Sequence, residues 1–327
     1  MKKPLKAVLC LLAAAIALAG IGLSLNRIAY GRSIQATIYE WKLRRRNAHP
    51  RTVEAETDWL EARRAAGETP YALPQGLQFH VDVAESESNG LRVFTLNSGG
   101  DGPIVLYLHG GAYVHEFNAY QWRFMDRLAR ASNCKIVAPA YHLAPYGDYA
   151  RACEDLRGLW RGLVTDNPGR PILLMGDSAG GGLALALGET LVRDGEALPE
   201  RLILFSPWVD ISMDNPDIQK YIPVEPILHY DLVKLHGQYW AGQGDVHDWQ
   251  ASPLFGGMAG LPPVTMYCGT RELLYPDILL MHNALLSAGV DADLKIGRGL
   301  NHDYPLMPLP EADRAFREVA ALVSGAQ

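Results

Sequence analysis

Ser178 stands at the centre of Gly176-Asp177-Ser178-Ala179-Gly180, directly after the apolar run 171–175 and ahead of a helical pattern over 181–192. A serine hydroxyl is a weak nucleophile, and a tight strand-to-helix turn lifts it clear of the backbone where a base can reach it. Upstream, His109-Gly110-Gly111-Ala112 follows a second apolar run, 104–108. A glycine loop so placed can turn its backbone N–H groups into a cavity and stabilise an oxyanion.

Such a serine needs a base, and the base needs an acid to orient it. Of the ten histidines, only His302 combines a position after the last predicted strand with a polar, glycine-containing loop, Gly299-Leu300-Asn301-His302-Asp303-Tyr304. The acid is expected between serine and histidine in chain order, at a strand exit. Glu272 fits that position. Asp277 is the runner-up, since an acid at the start of a helix is favoured by the helix dipole without any catalytic role. Arg271 can pair with either. Asp177 reads as a turn residue bonding backbone N–H groups, and His109 as a brace for the glycine loop. Tyr113, His115, Tyr221, Tyr230 and Trp240 suit a pocket wall or lid packing equally well.

These residues need a scaffold that presents strand ends side by side. Short apolar runs at 91–96, 104–108, 135–140, 172–175, 202–205, 264–268 and 293–296 read as strands. Helical patterns fall at 120–131, 149–164, 178–192, 276–288 and 311–323. Alternating strands and helices predict an α/β fold, with a mostly parallel sheet covered on both faces. The stretch 208–244 interrupts the alternation and is read as a lid inserted over Ser178, because ligands in such sheets bind at the carboxyl ends of the strands. Residues 27–76 form an N-terminal cap or linker region with a helix at 52–65, and residues 77–327 form the catalytic domain.

The 327 residues are 48% hydrophobic and 20% charged, a globular composition. The net charge of −6 conceals an asymmetry: residues 1–46 carry nine Lys/Arg against one acid, the remainder 21 bases against 35 acids. With no basic patch in the body, nucleic acid is not an expected partner. Lys2, Lys3 and Lys6 precede an uncharged stretch, 7–25, close to the length that spans a bilayer. Residues 1–26 are therefore read as a membrane anchor, single-pass with the catalytic domain extracytoplasmic, or as a signal segment cleaved after Ala17-Leu18-Ala19 to give a secreted or periplasmic protein. Basic residues flank the stretch on both sides, so loop charge does not decide the orientation. Cys10, Cys134, Cys153 and Cys268 lack metal-type spacing and read as free thiols.

Taken jointly, His109-Gly110-Gly111-Ala112, Tyr141-His142-Leu143-Ala144-Pro145, Gly176 to Gly181, Ala251-Ser252-Pro253-Leu254 and Asn301-His302 make residues 80–320 resemble the hormone-sensitive-lipase-like family of α/β-hydrolases, which includes bacterial esterases and arylacetamide deacetylases. The resemblance implies an α/β-hydrolase sheet with a helical cap built from the N-terminal segment and the 208–244 insertion. It implies Ser178 as nucleophile, His302 as general base and Glu272 as orienting acid. The oxyanion hole would comprise Gly110, Gly111, Ala112 and Ala179, with donors on Gly111, Ala112 and Ala179. Ala112 replaces the third glycine of most members, and Glu272 replaces the commoner Asp. The expected activity is hydrolysis of apolar short- to medium-chain acyl esters, with a small-molecule ester as partner and no metal or organic cofactor. An amidase or deacetylase could use the same residues. A ligand-binding homologue without chemistry, or a membrane-tethered scaffold, are readings from other classes.

Overall fold

A computed structural model describes residues 30–88 and 90–325. In chain order it runs α1 (Ile34–Arg46), α2 (Val53–Ala66), β1 (Val83–Ser88), β2 (Leu91–Leu96), β3 (Ile104–Leu108), α3 (Ala119–Ser132), β4 (Lys135–Ala140), α4 (Tyr149–Asp166), β5 (Ile172–Asp177) and α5 (Ser178–Arg193). It continues with β6 (Leu202–Phe205), α6 (Tyr230–Ala241), β7 (Val264–Arg271), α7 (Tyr275–Ser287), β8 (Ala292–Asn301) and α8 (Pro310–Ser324). The eight strands form one sheet in the order β1-β2-β4-β3-β5-β6-β7-β8. β2 is antiparallel to both β1 and β4, and every other pairing is parallel.

The central strands are apolar along their whole length because both faces are covered. Strand alternation sorts their side chains. Ile104, Leu106 and Leu108 join the core shared with α4, α5 and α7, while Val105 and Tyr107 join the core shared with α3 and α8. Helix starts follow local chemistry: Thr52 caps α2, Asp148 caps α4, and Asn118 with Gln121 forms a capping box on α3. α5, behind β5, is buried from Ser178 through Leu191.

Two departures from the sequence expectation stand out. β1 reads Val-Ala-Glu-Ser-Glu-Ser and is mostly exposed, as a charged edge strand must be, so no apolar run marks it. α1 is a second helix in the 27–76 cap or linker region, where the sequence marks only the helix at 52–65. Its buried positions, Ala36, Glu40 and Leu43, include a charge held by Arg32, Arg44 and Arg271.

The N-terminal helices and the insertion meet over the sheet. Asn47 Nδ2 donates to Pro226 O at 2.9 Å, Arg44 to Val224 O at 2.6 Å, and His236 Nε2 lies 3.0 Å from Glu56 Oε1. Arg63 reaches down to Val114 O at 2.6 Å, just beyond the glycine loop. Among the described residues no helix is long and apolar enough to cross a membrane. The stretch 7–25, with Cys10, lies outside them. Cys134, Cys153 and Cys268 are free and buried.

Candidate active site

β5 ends at Asp177 and α5 begins at Ser178, whose φ of 51° is in the left-handed region that costs a side-chain-bearing residue energy. The neighbouring backbone crowds this tight reversal. At Gly180 a Cβ would sit 2.1 Å from Leu108 O, so only glycine lets α5 approach the end of β3.

β7 and β8 deliver the other two residues. His302 Nε2 lies 2.9 Å from Ser178 Oγ, and His302 Nδ1 lies 2.6 Å from Glu272 Oε2. The other Glu272 oxygen accepts from Gly269 N at 2.6 Å and Ser206 Oγ at 3.0 Å. The structure thus brings Ser178, His302 and Glu272 into one buried chain. It does not bring Asp277 there: that carboxylate accepts from Asn215 Nδ2 at 2.6 Å, and burial pushes it up to about 7. Arg271 pairs with neither acid but with Glu40 of α1, at 2.8 Å.

The glycine loop packs directly against the elbow. Gly111 has φ 140°, Ala112 53° and Tyr113 62°, so Ala112 occupies the left-handed conformation despite its side chain. Among the described residues the amides of Gly111, Ala112 and Ala179 have no acceptor within the chain. Burial raises the Asp177 carboxyl, and Tyr107, Gln121 and the Gly110 backbone N–H oppose that rise. Asp177 itself makes no side-chain cap on α5. Instead of bonding its own turn, it accepts from Tyr107 OH at 2.6 Å and Gln121 Nε2 at 2.8 Å. His109 stacks on Tyr141, 4.5 Å between centroids, and burial pushes it down to about 4, keeping it neutral.

The electrostatics centre on His302. Burial alone would push it down, but the Asp303 carboxylate, the hydrogen bond to Glu272 and the nearby Glu225 outweigh burial and lift it to about 10. Asp303 Oδ2 is 3.3 Å from His302 Nε2, on the side facing Ser178. Burial and the surrounding carboxylates push Asp303 itself well above the usual range. Glu225, raised to about 7 by burial, accepts from Ile227 N at 2.7 Å and Leu273 N at 3.0 Å. Asp303, Glu225, Ser206 and Gln121 were not singled out from sequence. Only Asp303 and Ser206 carried a signal, adjacency to His302 and to a strand end.

A cavity of about 530 Å³ opens above Ser178 and His302. Leu43 of α1, Ile227, Leu228 and Val233 of the insertion, and Met307 supply apolar wall, while Arg51, Glu56, His115 and His236 supply a polar end. Of the five aromatic and histidine candidates, His115 lines this cavity. Tyr113 and Trp240 stack on each other at 4.0 Å, Tyr221 packs on Tyr275, and Tyr230 OH donates to Met213 O. No group of His, Cys, Asp and Glu among the described residues could hold a metal ion.

A family model described as the alpha/beta hydrolase fold matches residues 105–306. The chain belongs to the α/β-hydrolase family. An acetyl-hydrolase of Streptomyces hygroscopicus is 31% identical over 68% of this chain and 76% of its own length. An ethyl acetate hydrolase of Pseudomonas putida is 29% identical over 66% and 70%. The crystal structure of an esterase from the bacterial hormone-sensitive lipase family superposes with a TM-score of 0.77 at 27% identity, covering 90% of this chain and 99% of the other. This α/β-hydrolase is accordingly of the hormone-sensitive-lipase-like type, a carboxylesterase- or lipase-type enzyme acting on ester bonds.

Proposed function

We propose that this α/β-hydrolase cleaves apolar esters of short to medium acyl chains through an acyl-enzyme on Ser178. The observation that carries the proposal is the continuous chain Ser178 Oγ–His302–Glu272, at 2.9 and 2.6 Å, opening on a cavity with an apolar wall. His302 Nε2 takes the Ser178 proton as Oγ attacks the ester carbonyl, and Glu272 holds Nδ1–H so that the lone pair faces the serine. The oxyanion is received by the amides of Gly111, Ala112 and Ala179. His302 then protonates the leaving alcohol, and water repeats the sequence to release the acid. The names of the acetyl- and ethyl acetate hydrolases support the short-chain end of the range. The uncharged stretch 7–25 supports a membrane tether.

Ser178→Ala is expected to abolish hydrolysis of p-nitrophenyl butyrate and labelling by a fluorophosphonate probe, with circular dichroism unchanged. Hydrolysis surviving in that variant would remove Ser178 from the mechanism. A p-nitrophenyl ester series beside matched anilides separates acyl length from ester-versus-amide preference.

A further inference from the structure

α1 has two faces with different jobs. Inward, Ala36 and Leu43 are buried, and Tyr39, Leu43 and Arg46 line the cavity above Ser178. Outward, Ile34, Ile38 and Trp41 are 38%, 42% and 55% exposed, three large apolar residues at the i, i+4, i+7 spacing of a single stripe. Scattered surface hydrophobics are ordinary, but a continuous row on one helix is not. Exposed Gln35, Lys42 and Arg45 border the row, and the Arg45 guanidinium lies 4.8 Å over the Trp41 ring. An apolar row with an aromatic, bordered by Lys and Arg, is the pattern of a helix lying in a bilayer interface.

We infer that the outer face of α1 lies on an anionic membrane surface, so that this helix is at once the wall of the cavity and its contact with lipid. Two further observations select a bilayer as the occupant. Only four residues, 26–29, separate the uncharged stretch 7–25 from Tyr30, which keeps α1 within reach of any membrane that stretch enters. The charge is also complementary: α1 exposes Lys42 and Arg45 beside its apolar row, in a segment, residues 1–46, of nine Lys/Arg and one acid, while the remainder is acidic, so an anionic surface draws this face down and repels the rest. The substrate class that follows, resting on the ester-hydrolase reading above, is esters that partition into the bilayer and reach Ser178 past Tyr39 and Leu43.

The test uses the full chain with vesicles of phosphatidylcholine and phosphatidylglycerol. Nitroxides at Ile38→Cys and at Leu286→Cys, an exposed reference on α7, are compared in a Cys10→Ser background for oxygen against nickel-chelate accessibility. The oxygen-to-nickel ratio at position 38 is expected to exceed that at 286 by at least about threefold. Equal, water-like ratios in a vesicle-bound chain would overturn the inference while leaving the tether standing. A chain that stays in the supernatant would remove both, and dipolar broadening between labels at 38 would assign the face to a second copy instead. In a second arm, the double variant Ile38→Glu, Trp41→Glu is expected to lower hydrolysis of a vesicle-embedded ester relative to soluble p-nitrophenyl acetate by about tenfold or more. An unchanged ratio counts against the inference. A wild-type chain inactive on both esters refutes the hydrolase reading and leaves the spin-label result as it stands.

Discussion

Replacing Asp303 by Asn isolates the carboxylate that most directly raises the histidine. Asp303 occupies the left-handed region at φ 53°, a conformation Asn adopts at least as readily, so the backbone is undisturbed. The amide keeps an acceptor near His302 Nε2 and removes the charge 3.3 Å away. At that distance and an effective dielectric near 20, a full charge is worth roughly 5 kcal/mol, or three to four pKa units at about 1.4 kcal/mol each. That is an upper bound, because Asp303 is itself pushed up by burial and shares the proton with the histidine. A downward shift of about one to two units in His302 is therefore expected. The base must be neutral to accept the serine proton, so activity rises as pH passes the histidine's pKa, which stands at about 10 in the native protein. The acid limb of the kcat/KM profile for p-nitrophenyl butyrate should move to lower pH by that one to two units, with the variant the faster enzyme at neutral pH. An unmoved limb, or one displaced to higher pH, would refute the argument that Asp303 holds the proton on His302.

Glu272→Gln should lower kcat on the order of 10² to 10⁴-fold by releasing the Nδ1 partner, while Asp277→Asn should stay within about twofold, and steady-state kinetics on the pair checks the assignment of the acid. Glu189 on α5 is buried with neither oxygen hydrogen-bonded to a side chain, and burial pushes it up to about 9. Its raised pKa means the folded state keeps a proton that the unfolded chain releases, so stability falls as pH climbs from about 4.5 toward 9. Glu189→Gln should thus stabilise by on the order of 2–4 kcal/mol near pH 7.5 and by little near pH 4, read from urea melts at both. Gly180→Ala should cost at least roughly 1–3 kcal/mol in the same melts, because the new methyl meets Leu108 O and His109 O.

What the residues disclosed in advance depended on whether the signal was local. Runs such as Ile104–Leu108 announce themselves because a strand buried on both faces must be apolar throughout. β1 could not, since an exposed edge strand is selected for charge, and α1 could not, since its buried Glu40 is neutralised by Arg271 some 230 residues away. The order Ser178, Glu272, His302 was legible because each follows a strand whose end the sheet brings alongside the others. Asp303 was visible as a neighbour of His302 but not as its partner: that relation needs the left-handed turn that swings the carboxylate back to Nε2. Glu225 carried no signal, because it reaches the site through the insertion and is held there by the backbone amides of Ile227 and Leu273.

The expectation for Asp177 was half of a larger arrangement. A carboxylate that merely closed its own turn would leave the elbow and the glycine loop free to shift against each other. Here one oxygen is fixed by Tyr107 of β3 and the other by Gln121 of α3, whose amide also donates to Gly110 O at 3.2 Å. Tyr141 OH holds His109 O at 2.6 Å from the far side, and a Cβ at Gly110 would meet Asp177 Oδ2 at 2.4 Å. The loop therefore cannot withdraw without unmaking bonds to three elements. Three residues in left-handed geometry, Ser178, Ala112 and Tyr113, persist because the surroundings over-determine them. That rigidity is what an oxyanion site needs: donors fixed before charge develops require no reorganisation when it does.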